Sequence, residues 1–334
     1  MRKPGPKLLI LISFLLLVVS AAVAVCIGTY HISITDVFSA YITYFQGGET
    51  TVVESIVVNL RTPRVILALM AGAGLAVAGT ASQSAFSNPL ASPDVIGVSS
   101  GAAFGAAAGI LLFNNDAATQ LMAVAFGLAA IAAVFALCKS SRSDSILMIV
   151  LSGIIVAGLF SAMVSLVKYV ADPMSKLPEI TYWLMGTLSG ASYSKIIVAL
   201  PMFVAGMVLI YVMKWRLNIL TLSDDEVRAL GHNPKKVRWT AVLASTLVVA
   251  AVVSVCGLIG WIGLVIPHVA RLLVGTDNRY VLPLCISIGG IFMLAMDTVA
   301  RTASVEELPL SILTAIVGAP LFASIFIWRG RGWT

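Results

Sequence analysis

Charge is what this sequence has least of. Asp, Glu, Lys and Arg together make up 11% of 334 residues, while 59% are hydrophobic. Mean hydropathy is +1.01. A soluble domain of this size needs far more charge on its surface, so the composition points to an all-α polytopic membrane protein. The net charge of +6 is spread over the loops, so it reports membrane orientation and not nucleic-acid binding. Cysteine is equally sparse. Cys26, Cys138, Cys256 and Cys285 lie within or beside apolar runs, without metal-ligand spacing, and are expected to be free thiols. No metal site is expected. Nor does a Gly-Lys pair occur anywhere, which excludes the phosphate-cradling GxxxxGK[ST] loop. HExxH, paired-acid and Ser/His/Asp patterns are absent too, so an enzyme active site is not expected.

What is there is mostly apolar runs. Windows near 8–27, 64–86, 96–113, 119–138, 146–168, 196–213, 240–257, 258–274, 281–299 and 309–328 suggest ten spans, several of them short. The first follows a basic start and resembles a signal peptide, but its length suits a span and cleavage is not expected. Ten spans put both termini on one side. Of 21 basic residues, fifteen fall on that side and six on the other, so the positive-inside rule makes both termini cytoplasmic. The turn between the seventh and eighth spans has little beyond Gly257, Gly260 and Gly263 to work with. Outside, His31–Phe45 has an amphipathic pattern. Leu177–Ser194, with Trp183 and Tyr193, suits the interface.

Small residues dominate the spans. Gly101, Gly105 and Gly109 repeat at i+4, and Gly72, Gly74 and Gly79 crowd the second span, as expected for closely approaching helices in lipid. In the fifth span Gly153, Ala157, Ser161 and Ser165 form a small, mildly polar stripe. Its spacing fits a pathway lining and fits a packing seam in which serine bonds its own helix. Two breaks interrupt the pattern. Ser87–Asp94 carries Asn88, Pro89 and Pro93, and reads either as a cytoplasmic turn or as irregular backbone held in protein. Ile266-Pro267-His268 falls in the opposite half, a pairing that hints at an internal repeat. His268, beside Pro267 and near Arg271, is structural or part of a proton relay. Asp297, four residues before Arg301, makes an ion pair at the outer end of the ninth span or an ion-coupling site.

The largest charged island is Lys214–Thr240, on the cytoplasmic side. Ser223-Asp224-Asp225-Glu226 fits a capping box, with three acids favouring the helix N-terminus. Gly231 suits a C-terminal stop, and Asn233-Pro234 caps and starts a second helix. The expectation is two short, rigid helices with a tight corner. A docking knob needs that rigidity and a solvated loop does not. Lys235, Lys236 and Arg238 are expected to anchor the following span to lipid headgroups.

Several longer motifs occur in order: Leu60–Val65 (LRTPRV), Ser87–Asp94 (SNPLASPD), Gly97–Gly101 (GVSSG), Ala229–Gly231 (ALG), Gly260–Leu272 (GWIGLVIPHVARL), Glu307–Pro309 (ELP) and Gly318–Pro320 (GAP). On these, over nearly the whole chain after the first span, the sequence resembles FecCD-type permeases of ATP-driven importers for ferric siderophores, haem and vitamin B12. The resemblance implies type II ABC importer architecture in a prokaryotic cytoplasmic membrane. It implies a single permease domain over 1–334, containing a coupling loop at 214–239. The partners it implies are a second permease subunit, two cytoplasmic ATPase subunits and an extracytoplasmic solute-binding protein. ATP and Mg would be bound by the ATPase, with no cofactor in this chain. Ser223, Asp225, Glu226, Arg228, Ala229, Leu230 and Gly231 would contact the ATPase. Arg61, Arg64 and Arg301, which by themselves read as solvated interface charges, would meet acidic residues of the binding protein. The fifth-span stripe would line the pathway. Ser92 stands where the family often has an acid or another polar residue.

A permease subunit moving an iron chelate by alternating access is therefore the expected function, a ferric siderophore before haem or a corrinoid. The alternative is an ion-gradient-driven secondary transporter, for which only Asp297 and His268 offer coupling groups.

Overall fold

The computed structural model describes residues 5–28, 30, 32–46, 51–113, 115–141, 145–304 and 306–330. Arg2, Lys3, Arg142 and Arg331 of the inner charge count, and His31 of the amphipathic segment, lie outside the described residues. Among those described there are helices and no strand. In chain order the helices are α1 (Pro6–Cys26), α2 (Ile34–Gln46), α3 (Val52–Ser55), α4 (Thr62–Ala85), α5 (Val98–Phe113), α6 (Asp116–Ser140), α7 (Ile146–Val170), α8 (Lys176–Leu184), α9 (Tyr193–Val212), α10 (Lys214–Ile219), α11 (Asp224–Ala229), α12 (Pro234–Cys256), α13 (Ile262–Val274), α14 (Asn278–Thr302) and α15 (Leu310–Gly330). A π-helical turn, Ile56–Arg61, joins α3 to α4, and a 3-10 turn, Pro93–Ile96, precedes α5.

Seven helices are long and apolar enough to cross a membrane, and three shorter apolar ones, α5, α13 and the Leu310–Ile325 part of α15, bring the set to ten. These are the ten windows of the sequence, with ends shifted by a few residues. The centre of the bundle is α4, in which 20 of 24 residues are buried. Its glycines explain how neighbours come so near. A methyl on Gly72 would strike the backbone of Gly289 in α14, and one on Gly79 would strike Gly263 in α13. The repeat Gly101, Gly105, Gly109 does the same for α5 against the α6 backbone at Phe126, Met122 and Thr119. By contrast α1 and α7 present mostly exposed Leu, Ile and Val, the surface suited to lipid or to another membrane chain. Ser13 on α1 hydrogen-bonds Ser287 of α14 at 2.7 Å, a polar pin in an apolar contact.

The first expected break is real and has two parts. Ser87, Asn88, Pro89 and Leu90 form an exposed turn in which the Leu90 amide donates to Asn88 Oδ1 at 2.9 Å. Ala91, Pro93 and Ile96 then turn back into the protein. The second break is not at Pro267, which lies buried inside the continuous helix α13. Proline at 267 removes the amide that would have bonded the carbonyl of Gly263. The side-chain amide of Gln83 on α4 faces that carbonyl instead, at 3.5 Å, with the Leu264 carbonyl at 3.4 Å. The chain breaks earlier, between α12 and α13, where Gly257 (φ 69°) and Trp261 (φ 71°) both take left-handed backbone. His268 is part of the same seam. Its Nδ1 lies 2.8 Å from the Leu264 carbonyl and its ring meets Phe322 edge-on. All four cysteines are free thiols.

Candidate functional site

Two polar constructions stand at opposite ends of the bundle. The inner one is the charged loop. Ser223 Oγ accepts from the Glu226 amide at 3.4 Å, and Glu226 Oε2 accepts from the Ser223 amide at 2.8 Å, so the capping box closes in both directions. The Ser223 hydroxyl and amide hold the Glu226 carboxyl below the ordinary carboxylate range. Gly231 has φ 78°, with open space where a side chain would stand, so it serves purely as the left-handed stop. Val227 is fully buried and seats α11 on the bundle. Asp225, Arg228, Ala229 and Leu230 point out, with Asp225 and Arg228 paired at 2.8 Å and Leu230 56% exposed.

The expected second short helix of this loop does not exist as such. Asn233 caps it as foreseen, with its side chain accepting from the Lys236 amide at 3.1 Å and Pro234 at the first position. The helix then continues without interruption to Cys256, because nothing between Lys235 and Ala241 breaks it. The other short helix is α10, placed before α11 and not anticipated from the sequence. Its end is held by Asn218, which donates to Asp277 Oδ1 at 2.8 Å and accepts from the Asn278 amide at 2.8 Å. Hydrogen bonds from Arg279, with help from Asn218, bring the Asp277 carboxyl down to about 2. Arg238 also departs from expectation. It is 4% exposed and internally bonded, so it cannot reach lipid headgroups.

The outer construction is an open cavity of about 490 Å³ lined by Arg61, Arg64, Arg301, Glu307, Tyr30 and Leu188 among others. The three arginines meet here as one group, but they are not free surface charges. Arg61 is 6% exposed and donates to the Val25 and Cys26 carbonyls at 2.7 and 2.8 Å, and to that of Tyr30. Arg301, 8% exposed, donates to the Ala24 carbonyl. Together they cap the last turn of α1, where carbonyls have no helical partner and cations are favoured. Arg64 forks onto Glu307 at 2.6 and 2.9 Å, and its Nε donates to Asp297 at 2.9 Å. Asp297, almost fully buried, also lies 3.5 Å from Arg301 Nε. The i,i+4 pair anticipated for Asp297 and Arg301 is present. Arg64, from 233 residues away, makes the closer contact. Sequence reasoning missed Glu307 as a site residue, although it begins the ELP motif.

The fifth-span stripe lies on α7 and is divided along its length. Gly153 is buried, packed so tightly on the Val95 carbonyl that a side chain would clash. Ala157 is half-buried, while Ser161 and Ser165 are exposed, with Ser165 Oγ donating to the Ser161 carbonyl at 3.0 Å. Among the described residues no group of His, Cys, Asp and Glu could hold a metal ion.

The FecCD transport family matches residues 15–328. The chain belongs to that family. Among its FecCD-family relatives, the molybdate import permease MolB of Haemophilus influenzae is 38% identical, over 98% of this chain and 97% of its own length. A Helicobacter pylori permease assigned to iron chelatin transport is 36% identical, over 91% of this chain and 99% of its own. A solved structure described as a metal-chelate type ABC transporter in an inward-facing conformation superposes with a TM-score of 0.87. It is 37% identical and covers 96% of this chain and 99% of its own. The FecCD fold therefore extends over the whole bundle, and the chain is a multi-pass ABC transporter permease.

Proposed function

We propose that this FecCD permease, acting as one domain with its loop at 214–239, carries a metal chelate inward across a prokaryotic cytoplasmic membrane, and that the cargo is a ferric siderophore. One observation carries the reading. The helix α11 is rigidly capped and seated by Val227, yet it holds Ala229 and Leu230 in the open beside Asp225 and Arg228. A rigid knob with an exposed apolar tip is built for a partner surface, here a cleft of a separate ATPase subunit that binds ATP and Mg. A pair of permeases and a pair of ATPases complete the machine, with the pathway between the permeases. The exposed face of α7 supports a chelate as cargo. It offers Ser161 and Ser165 among Leu, Ile, Gly and Ala, with no charged side chain before the half-buried Lys168 near its end. Such a lining suits a bulky ligand that shields its metal. An extracytoplasmic binding protein docks on the outer cavity, where three guanidinium groups outnumber the two carboxylates that pair with them, Glu307 in the lining and the buried Asp297.

A second reading is an oxyanion cargo, favoured by the relative that imports molybdate. The deciding experiment reconstitutes the permease with its ATPase and binding protein. ATP hydrolysis is then measured with a ferric trihydroxamate, haemin, cyanocobalamin and molybdate. Stimulation by the ferric chelate is expected. Stimulation by molybdate alone replaces the cargo, and uptake that survives ATP depletion on an ion gradient replaces the whole reading with a secondary transporter. Charge reversal at Asp225 or Glu226 should uncouple hydrolysis from uptake in the same assay.

A further inference from the structure

The basic end of the loop contains the least expected contact in the protein. Arg238 lies in the second turn of α12 and is almost completely buried. Its Nε donates to the carbonyl of Ala85 at 2.9 Å. Ala85 is the last residue of α4, where helical carbonyls lack partners of their own. The Nη2 of Arg238 donates to Asp224 Oδ1 at 3.0 Å. Asp224 is the first residue of α11. One planar guanidinium thus joins the loop helix, the end of the central helix and the start of α12. A fork with several fixed N–H directions can hold two acceptors at set angles, which an ammonium group cannot do as a unit. A second tie runs alongside, from Ser87 Oγ to the Leu220 carbonyl at 2.7 Å.

What α4 reaches gives the contact its meaning. With 24 residues at about 1.5 Å each it is a rod of roughly 36 Å, buried along nearly all its length. Arg64 stands in its first turn and forks onto Glu307 in the outer cavity. The two polar constructions are therefore the two ends of one helix. Val227 seats α11 by apolar contact, which has no preferred direction. The fork of Arg238 is directional.

We infer that Arg238 is a positioning residue that links α11 to α4 through Asp224, so that events at the outer cavity and movement of the loop helix are passed along one buried rod. This rests on the transport reading above and names the part of the chain that carries the signal.

Asp224 allows a clean test, because its side chain is 47% exposed and Asp224→Ala leaves the Arg238–Ala85 bond in place. The capping box uses Ser223 and Glu226 and is untouched. In the reconstituted complex, ATP hydrolysis is measured with and without the binding protein. Asp224→Ala should cut the stimulation by about fivefold or more, with basal hydrolysis and ATPase co-purification unchanged. Asp224→Glu should restore most of it, which loss of loop stability alone would not predict. Arg238→Lys should behave as Asp224→Ala does. A wild-type complex that ignores the binding protein overturns the transport reading and this inference with it. A wild type that responds, alongside an Asp224→Ala variant that responds equally, overturns the inference alone. So does loss of ATPase co-purification in Asp224→Ala, which would make Asp224 a direct contact of the ATPase.

Discussion

The inner loop and the outer cavity are both islands of charge in an apolar protein, and they are built in opposite ways. Around α11 and its corner, residues 223–236, the capping groups find their partners within a few residues, and the long-range ties of the loop are left to Asn218 and Arg238 at its two ends. Ser223 bonds Glu226, Asp225 pairs with Arg228, and Asn233 caps its own helix. In the cavity almost no polar group pairs so locally. Arg61 reaches back 36 residues, Arg64 reaches forward 243 to Glu307, and Arg301 reaches back 277. The α11 corner keeps its own shape through local bonds exposed to water, where each contributes little. The cavity keeps its shape through bonds sheltered from water, where losing one partner strands a charge. Local construction suits a part that must move as a unit against a partner. Long-range construction suits a part that ties separate helices into one frame.

The sharpest way to break this contrast is at Asp297. Asp297→Ala leaves Arg64 and Arg301 side by side without the carboxylate between them. Loss of one member of a buried ion cluster typically costs about 3–5 kcal/mol. A clear drop in the thermal unfolding midpoint in detergent is expected, and an unchanged midpoint would show that the cluster does not hold the frame. A smaller effect is expected at Gly231, where any side chain has room but the backbone is left-handed. Gly231→Ala should cost about 1 kcal/mol, confined to the loop. Hydrogen exchange should quicken over residues 224–231 and nowhere else. Faster exchange throughout the bundle would mean the loop is not an independent unit.

The smallest effect is with pH. Glu226 is held below its ordinary range by its bonds to Ser223. A depressed carboxyl stabilises the fold above its unfolded value and loses that contribution as pH falls through the folded value. The capping box should therefore persist from neutral pH down through the ordinary carboxylate range and loosen only as pH falls below that range. The α10 clamp should persist lower still, since Asp277 titrates at about 2. Hydrogen exchange of the Ser223 and Arg279 amides, which donate to the Glu226 and Asp277 carboxylates and are corrected for the intrinsic pH dependence, follows the two separately. Loosening of the loop between pH 7 and 5 would contradict the assignment.

Most of the loop was legible in the sequence because capping is a matter of residue type at fixed spacing. Its misreadings were of extent. The helix after Asn233 runs on into α12, and α10, which has no side-chain cap, went unseen. The cavity was legible only as three arginines on the sparsely charged side, singled out by family resemblance. Their partners were not, since a backbone carbonyl at Ala24 or Val25 has no sequence signature. Pro267 shows the same limit. Proline predicts a missing bond, but only the neighbouring helix supplies Gln83 beneath the freed Gly263 carbonyl and so keeps α13 whole.

By itself, the sequence determined the ten apolar segments, the orientation counted from basic residues, the caps of α11 and α12, and the family. All of these follow from residue type, spacing and hydropathy along one stretch of chain. The tertiary structure alone decided that α4 is the buried centre, that Arg61 and Arg301 close the end of α1, and that Arg238 faces inward to Asp224 and Ala85. In a protein so poor in charge, each buried guanidinium must find acceptors or be excluded from the interior. Those acceptors are brought to it by helix packing, which no local stretch of sequence contains.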